Sequence, residues 1–160
     1  MTTFLDSSIL ISLMKTTEAN HQWAVDQFNE RIKEGPIVIT DVVYSEVSVT
    51  FPDTAEVNKA LSELGVERYT GSDGSLFHAG RAFQTYRKKN KGPKLGVLPD
   101  FFIGATAHEE SAPLLTDNAR DFTKYFPDLV LIVPPTSVTV TAVASLPAFG
   151  TTGQIETAKE

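Results

Sequence analysis

Short apolar runs alternate with stretches of helical period along most of the chain. Thr2 to Leu5 is a β-prone run that stops abruptly at Asp6, and Ile37-Val-Ile39, Val66 to Thr70, Ala112 to Thr116 and Val130 to Val133 are further runs of strand length. After Asp6, Ser7 and Ser8 offer hydroxyls that can cap a helix, and Ile9, Leu10, Leu13 and Met14 carry the apolar pattern onward. Thr16 or Thr17 can open a second helix. There His21, Ala24, Val25, Phe28 and Ile32 share one face, Gln22, Asp26, Asn29, Glu30 and Lys33 face water, and Gly35-Pro36 ends the segment. Thr40-Asp41 marks a third start, with Asp41 the expected cap of a helix from Val42 to Val49 that carries Glu46. Asp53/Thr54 opens a fourth that ends near Gly65.

Beyond a turn at Gly71 to Ser75, Leu76, Ala79, Gly80, Phe83 and Tyr86 form a helical stripe that fades into Arg87-Lys-Lys-Asn-Lys-Gly-Pro-Lys94. Leu95-Gly-Val-Leu-Pro99 leads to Asp100 and to Phe101-Phe-Ile-Gly-Ala-Thr-Ala107. That helix is apolar around most of its circumference and is expected at the centre of the fold. Ala119 to Phe126 is a short helix closed by Pro127. Strands separated by helices throughout predict an α/β fold: a three-layer α/β/α sandwich on a five-stranded parallel sheet. The domain is expected over residues 1–134, because Pro134-Pro135 ends the fifth strand. In the tail, residues 135–160, Thr136 to Val143 alternates like an edge strand or an arm for a partner subunit. Gly150 to Glu160 has the composition of a disordered terminus.

A length of 160 residues suits one domain that buries roughly 70% of the surface its unfolded chain exposes. No apolar run reaches the ~18 residues of a membrane span. The first residues lack the basic flank and apolar core of a signal peptide. The chain has no cysteine, which rules out disulfides and thiolate metal sites and suits a reducing cytoplasm, the expected compartment. A net charge of −6 argues against coating nucleic acid with the whole surface. A local strip remains: Arg81 to Lys94 holds Arg81, Arg87, Lys88, Lys89, Lys91 and Lys94 and no acid. A basic last turn also suits the helix dipole, and the excess fits phosphate contacts.

Acids stand at Asp6 after the first strand, Glu46 in the helix after the second, Asp100 opening the apolar helix, and Asp117-Asn118 after the fourth strand. In an open parallel sheet, ligands bind beyond the carboxyl ends of the strands, where such acids gather. Each has an ordinary explanation taken alone: Asp6 and Asp100 as helix caps, Glu46 as a solvated helix residue. Together they would repel one another without a counter-ion, so the set makes sense as a site for a hard cation such as Mg²⁺ or Mn²⁺. Such a cation supports in-line displacement at a phosphodiester.

These residues carry a resemblance. Phe4-Leu-Asp-Ser-Ser-Ile-Leu-Ile11, Tyr44-Ser-Glu-Val47, Leu98-Pro-Asp-Phe-Phe-Ile-Gly-Ala-Thr-Ala107 and Leu114-Leu-Thr-Asp-Asn-Ala-Arg-Asp-Phe122 resemble, in order and spacing, the motifs of PIN-domain proteins, and most of all VapC-type toxins. The resemblance implies a five-stranded parallel sheet and a Mg²⁺ or Mn²⁺ site. It also implies endonucleolytic cleavage of RNA, a homodimer and a cognate antitoxin. Asp6, Glu46 and Asp100 match the family's acids. At the fourth position many relatives have Thr-Arg-Asp, whereas Asn118 stands here with Asp117 displaced by one, and Asp121 matches a variant Asn-x-x-Asp-Phe. Asp117, Asn118 and Asp121 thus all remain candidates. Thr116 and Ser8 are expected to support the ligands, and Arg87, Lys88, Lys89, Lys91 and Lys94 to contact RNA phosphates.

A non-catalytic RNA-binding PIN domain, its fourth motif altered, is the main rival. A phosphotransfer enzyme using Asp6 fits poorly, because Ser8 stands where a second acid is wanted and Phe4-Leu5 where a receiver domain has an acid pair. His21 lies on an apolar stripe and reads as core. His78 and His108 have no evident partner. Phe101 and Phe102 read as core, whereas Tyr86 is open to stacking on a base.

Overall fold

The structure, a computed structural model, describes residues 1–89 and 98–135. Lys91, Lys94, the Leu95 to Val97 lead-in and the tail from Thr136, with its expected strand at Thr136 to Val143, lie outside the described residues. The apolar runs pair into one parallel sheet of five strands, β1 (Thr3–Leu5), β2 (Ile37–Thr40), β3 (Val66–Tyr69), β4 (Leu114–Leu115) and β5 (Leu131–Ile132). The order across the sheet is β3-β2-β1-β4-β5. Every residue of β1 and β2 is buried, which explains why these strands read as continuous apolar runs rather than alternating ones. Helices cover both faces, giving the expected three-layer α/β/α sandwich.

The strand order fixes where a site can form. From β1 the chain steps outward through β2 to β3, then returns to place β4 on the other side of β1. Connections leave β1 and β4 in opposite directions, and the crevice between their carboxyl ends is the switch point at which such sheets bind ligands.

The helices are α1 (Ser7–Met14), α2 (His21–Glu34), α3 (Asp41–Ser48), α4 (Thr54–Leu64), α5 (Asp73–Lys89), α6 (Leu98–Glu109) and α7 (Ala119–Tyr125). The start and stop signals of α4 act as expected. Asp53 accepts from the Glu56 N–H at 3.0 Å, and Gly65, at φ 71°, returns its own N–H to the carbonyls of Leu61 and Ser62. Elsewhere the boundaries shift. Neither Thr16 nor Thr17 caps α2: turns fill that stretch, and the helix begins after Asn20 with no side-chain cap. Asp41 is not the cap of α3. Thr40 accepts from the Val43 N–H at 3.3 Å, while Asp41 takes the Arg68 guanidinium at 2.6 Å. Ile32 is 42% exposed, so the buried stripe of α2 stops at Ala24 and Phe28.

α6 is the central helix, with Phe101 and Ile103 to Ala107 all buried. A side chain at Gly104 would meet the Phe126 ring at 2.7 Å, so α7 and the following turn approach α6 as closely as they do because that position is glycine. α6 begins at Leu98, two residues before Asp100, so Pro99 and Asp100 lie in its first turn rather than ahead of it. Phe101, Tyr86 and Tyr125 pack edge to face at 4.9 to 5.8 Å. Tyr86 is buried there, which removes it as a base-stacking residue. His21 is structural, its Nδ1 lying 2.7 Å from the Ser12 carbonyl. His78 and His108 do have partners: their rings meet edge to face at 5.1 Å, beside Phe126.

Candidate metal centre at the β1–β4 crevice

Asp6 follows β1 directly and is 5% exposed. Its Oδ1 accepts from the Ser7 N–H at 2.8 Å and caps α1. Oδ2 accepts from the Thr116 hydroxyl at 2.7 Å and the Ser8 hydroxyl at 3.3 Å. Capping and facing the crevice are therefore compatible, because the two oxygens have separate tasks. Burial raises the Asp6 pKa, hydrogen bonds from Thr116, Ser7 and Ser8 oppose this, and the charge of Asp117 adds to the rise.

Thr116 is fully buried at the end of β4, between its donation to Asp6 and its acceptance of the Asn118 N–H at 3.0 Å. Ser8 and Thr116 thus both support Asp6. Ser7, given by the sequence only as a possible cap, contacts Asp6 Oδ1 through its hydroxyl as well, at 3.4 Å. Its hydroxyl also donates toward Glu46. That second contact joins α1 to α3 and leaves no trace in the spacing of the motifs.

Glu46 is half-buried on α3, and its Oε2 is enclosed without a hydrogen-bond partner. Burial raises its pKa, Ser7 opposes this, and the charge of Asp6 raises it further. Asp100 is the most perturbed of the acids. Burial, and then the charges of Asp6, Glu46 and Asp121, push its carboxyl from 3.8 up to about 7. Asp121, in the first turn of α7 and half-buried, thus belongs to the neighbourhood of Asp100. Asp117 is exposed and acts on Asp6 from the rim, and Asn118 is half-buried with no side-chain cap to α7.

Among the described residues, no three carboxylates close around a common point tightly enough to hold an ion by themselves. Acids without a counter-ion repel one another. The arrangement nevertheless fits a hard, hydrated cation. Mg²⁺ is usually held through one or two carboxylates and keeps several waters, and the enclosed, unpartnered Glu46 Oε2 is an oxygen that lacks its donor.

Arg87, Lys88 and Lys89 form the exposed last turn of α5. Phe83 and Tyr86 pack against Phe101 at 6.1 and 5.7 Å, tying this basic end to the first turn of α6 that carries Asp100. Cations therefore stand beside the acidic crevice.

Fold and crevice define an α/β domain with an acidic site at the switch point of a parallel sheet. The PIN domain family model matches residues 3–125, and the chain belongs to that family. Comparison with curated proteins finds no match.

Solved structures share the fold. VapBC2 from Rickettsia felis, bound to a DNA fragment from their promoter, aligns with a TM-score of 0.62 at 21% identity, over 83% of this chain and 98% of that one. A toxin–antitoxin complex from Klebsiella pneumoniae aligns at 0.55 and 22%, over 80% and 95%. Mycobacterium tuberculosis VapC20, described as a sarcin-ricin loop cleaving toxin, aligns at 0.54 and 15%, over 82% and 99%. No helix among the described residues is long and apolar enough to cross a membrane.

Proposed function

We propose that this protein is a Mg²⁺- or Mn²⁺-dependent endoribonuclease and the toxin of a type II toxin–antitoxin pair. The observation that carries the reading is the gathering of Asp6, Glu46, Asp100 and Asp121 at the β1–β4 crevice, with Glu46 Oε2 enclosed and unpartnered. Asp6, Glu46 and Asp100 are the proposed ligands, completed by Asp121. Asp117 and Asn118 are assigned to the rim. A bound cation would supply Lewis-acid polarisation of a phosphodiester and lower the pKa of water.

The chain's own groups do the rest. Thr116, Ser8 and the Ser7 N–H fix both Asp6 oxygens before any substrate arrives, so little reorganisation is left for the reaction. Asp100, titrating near 7 in the metal-free protein, holds a proton that must leave as a cation enters. Arg87, Lys88 and Lys89 are the proposed phosphate contacts that lay the RNA backbone across the crevice. Lys91 and Lys94 extend that proposal along the chain.

An antitoxin is the proposed protein partner, and a cytoplasmic setting the proposed compartment. A homodimer through the half-buried Ile11, Leu13, Met14 and Trp23 completes the reading. Ile9 and Leu10, fully buried in the core, take no part in that contact. The reading is tested by incubating mixed RNA with the protein and Mg²⁺, Mn²⁺ or a chelator. Internal cleavage with either ion and none with chelator supports it. Metal-independent binding without cleavage would leave the non-catalytic RNA-binding domain instead.

A further inference from the structure

Ser7 occupies an unusual place in the crevice. It is the first residue of α1, half-buried, and its N–H is already committed to Asp6 Oδ1 at 2.8 Å. Its hydroxyl has no structural duty at a helix start, where alanine would serve as well. Yet that hydroxyl lies 3.4 Å from Asp6 Oδ1 and faces the Glu46 carboxylate as a donor. A hydroxyl carries one proton and can satisfy one carboxylate at a time. The contact to Asp6 is long, and Asp6 is served by shorter donors, Thr116 at 2.7 Å and the Ser7 N–H at 2.8 Å. Among the described residues no other side-chain hydroxyl serves Glu46, and its Oε2 stays enclosed and unpartnered.

From this asymmetry we infer that Ser7 is a positioning residue for Glu46, its hydroxyl holding that carboxylate toward Asp6 so that Oε2 is presented to the cation. The inference rests on the proposed metal-dependent reading of the same crevice. Glu46 comes from α3 and Asp6 from the β1–α1 junction, and a glutamate side chain keeps considerable rotamer freedom unless something holds it. Without the Ser7 hydroxyl, Glu46 can turn its charge to water, which suits an isolated carboxylate better than a crevice shared with other acids. The cost then falls on cation binding, since partners that orient metal ligands typically contribute about 10- to 100-fold in affinity. It does not fall on the fold.

The test is calorimetric titration of Mn²⁺ alone into wild type, Ser7→Ala, Ser7→Thr, Glu46→Gln and the Ser7→Ala/Glu46→Gln double variant. Ser7→Ala is expected to weaken Mn²⁺ binding about 10-fold while leaving thermal unfolding unchanged, and Ser7→Thr to restore most of the affinity. In the Glu46→Gln background, Ser7→Ala should change little further, because its effect passes through that carboxylate. In RNA cleavage, Ser7→Ala should raise the Mn²⁺ concentration for half-maximal rate and leave the rate at saturating Mn²⁺ close to wild type.

Wild-type affinity in Ser7→Ala, or an equal loss with and without Glu46, overturns the inference while the metal site stands. Failure of wild type itself to bind Mn²⁺ overturns the metal reading and this inference with it.

Discussion

The Thr116 hydroxyl donates to Asp6 Oδ2 at 2.7 Å, joining two residues 110 positions apart across the β1–β4 crevice. Both lie one residue past their strands, and the parallel pairing of Phe4 with Leu114 and Leu5 with Leu115 brings them level. The contact follows from strand register, and it settles which way Asp6 faces.

Removing that donor should therefore be felt in both stability and site. Thr116→Val keeps the shape of a fully buried side chain but deprives Asp6 of its shortest hydrogen bond. Unfolding by denaturant is expected to show a loss of about 1–3 kcal/mol, the range for a buried polar group left short of a partner. Thr116→Ser should recover most of it. Equal stability of all three proteins would mean that Asp6 does not depend on Thr116.

Asp100 should make the metal-free protein less stable as pH rises. Its carboxyl titrates near 3.8 unfolded and near 7 folded, so below about pH 4 both states hold the proton and no penalty exists. Between those values the unfolded chain has released a proton that the folded chain keeps, and stability falls with rising pH until about 7. The shift sets a ceiling of about 4 kcal/mol, which solvent around a half-buried carboxyl reduces to roughly 1–2 kcal/mol. Asp100→Asn should therefore raise the melting temperature at pH 8 in chelator by about 3–8 °C and flatten its fall between pH 5 and 8. Burial raises the pKa values of Asp6 and Glu46 in the same direction, so some slope should remain. A variant that melts below wild type at pH 8 would show that the charge is not penalised there.

The fourth acidic position separates Asp121 from Asp117. Asp121 adds its charge to Asp100 inside the crevice, whereas Asp117 is exposed and acts on Asp6 from the rim. Calorimetry with Mn²⁺ should show Asp121→Asn losing about 10-fold in affinity, and Asp117→Asn less than about threefold. The reverse order would return the position to Asp117.

Much of this was legible in the sequence for a physical reason. Buried parallel strands such as Ile37-Val-Ile39 read as continuous apolar runs, and a helix as uniformly apolar as Phe101 to Ala107 has nowhere to lie but the centre. Asp6, Glu46 and Asp100 stand at strand and helix boundaries that those runs define. Less legible were contacts made by residues distant in sequence. Asp41 looked like a cap because Thr40 and Asp41 are both good at capping, and only the neighbouring β3 strand, by supplying Arg68, decides between them. His78 and His108 looked unpartnered because the packing of α5 on α6 brings them together. Asp117, Asn118 and Asp121 are close enough in sequence for any to serve, and the turn into α7 sorts rim from crevice.

The basic end of α5 carries the proposed RNA contact. Neutralising Lys88 and Lys89 to Gln should weaken RNA binding across sequences without moving the cleavage position, because backbone contacts set affinity and register. The plot of log affinity against log salt should become shallower by about 0.7 for each single-strand phosphate that the variant no longer neutralises. An unchanged slope would mark this turn as a solvated helix end.

The central claim is that the acidic crevice cuts RNA with a divalent cation, and the most direct measurement is cleavage of mixed RNA by wild type and by Asp6→Asn, each at saturating Mg²⁺. Asp6→Asn keeps the side-chain shape and removes one ligand charge from a residue that is 5% exposed at the end of β1. The wild type is expected to produce internal cuts that chelator abolishes, and Asp6→Asn, folded, to cut roughly a hundredfold more slowly or not at all. Cleavage by Asp6→Asn at the wild-type rate would contradict the account.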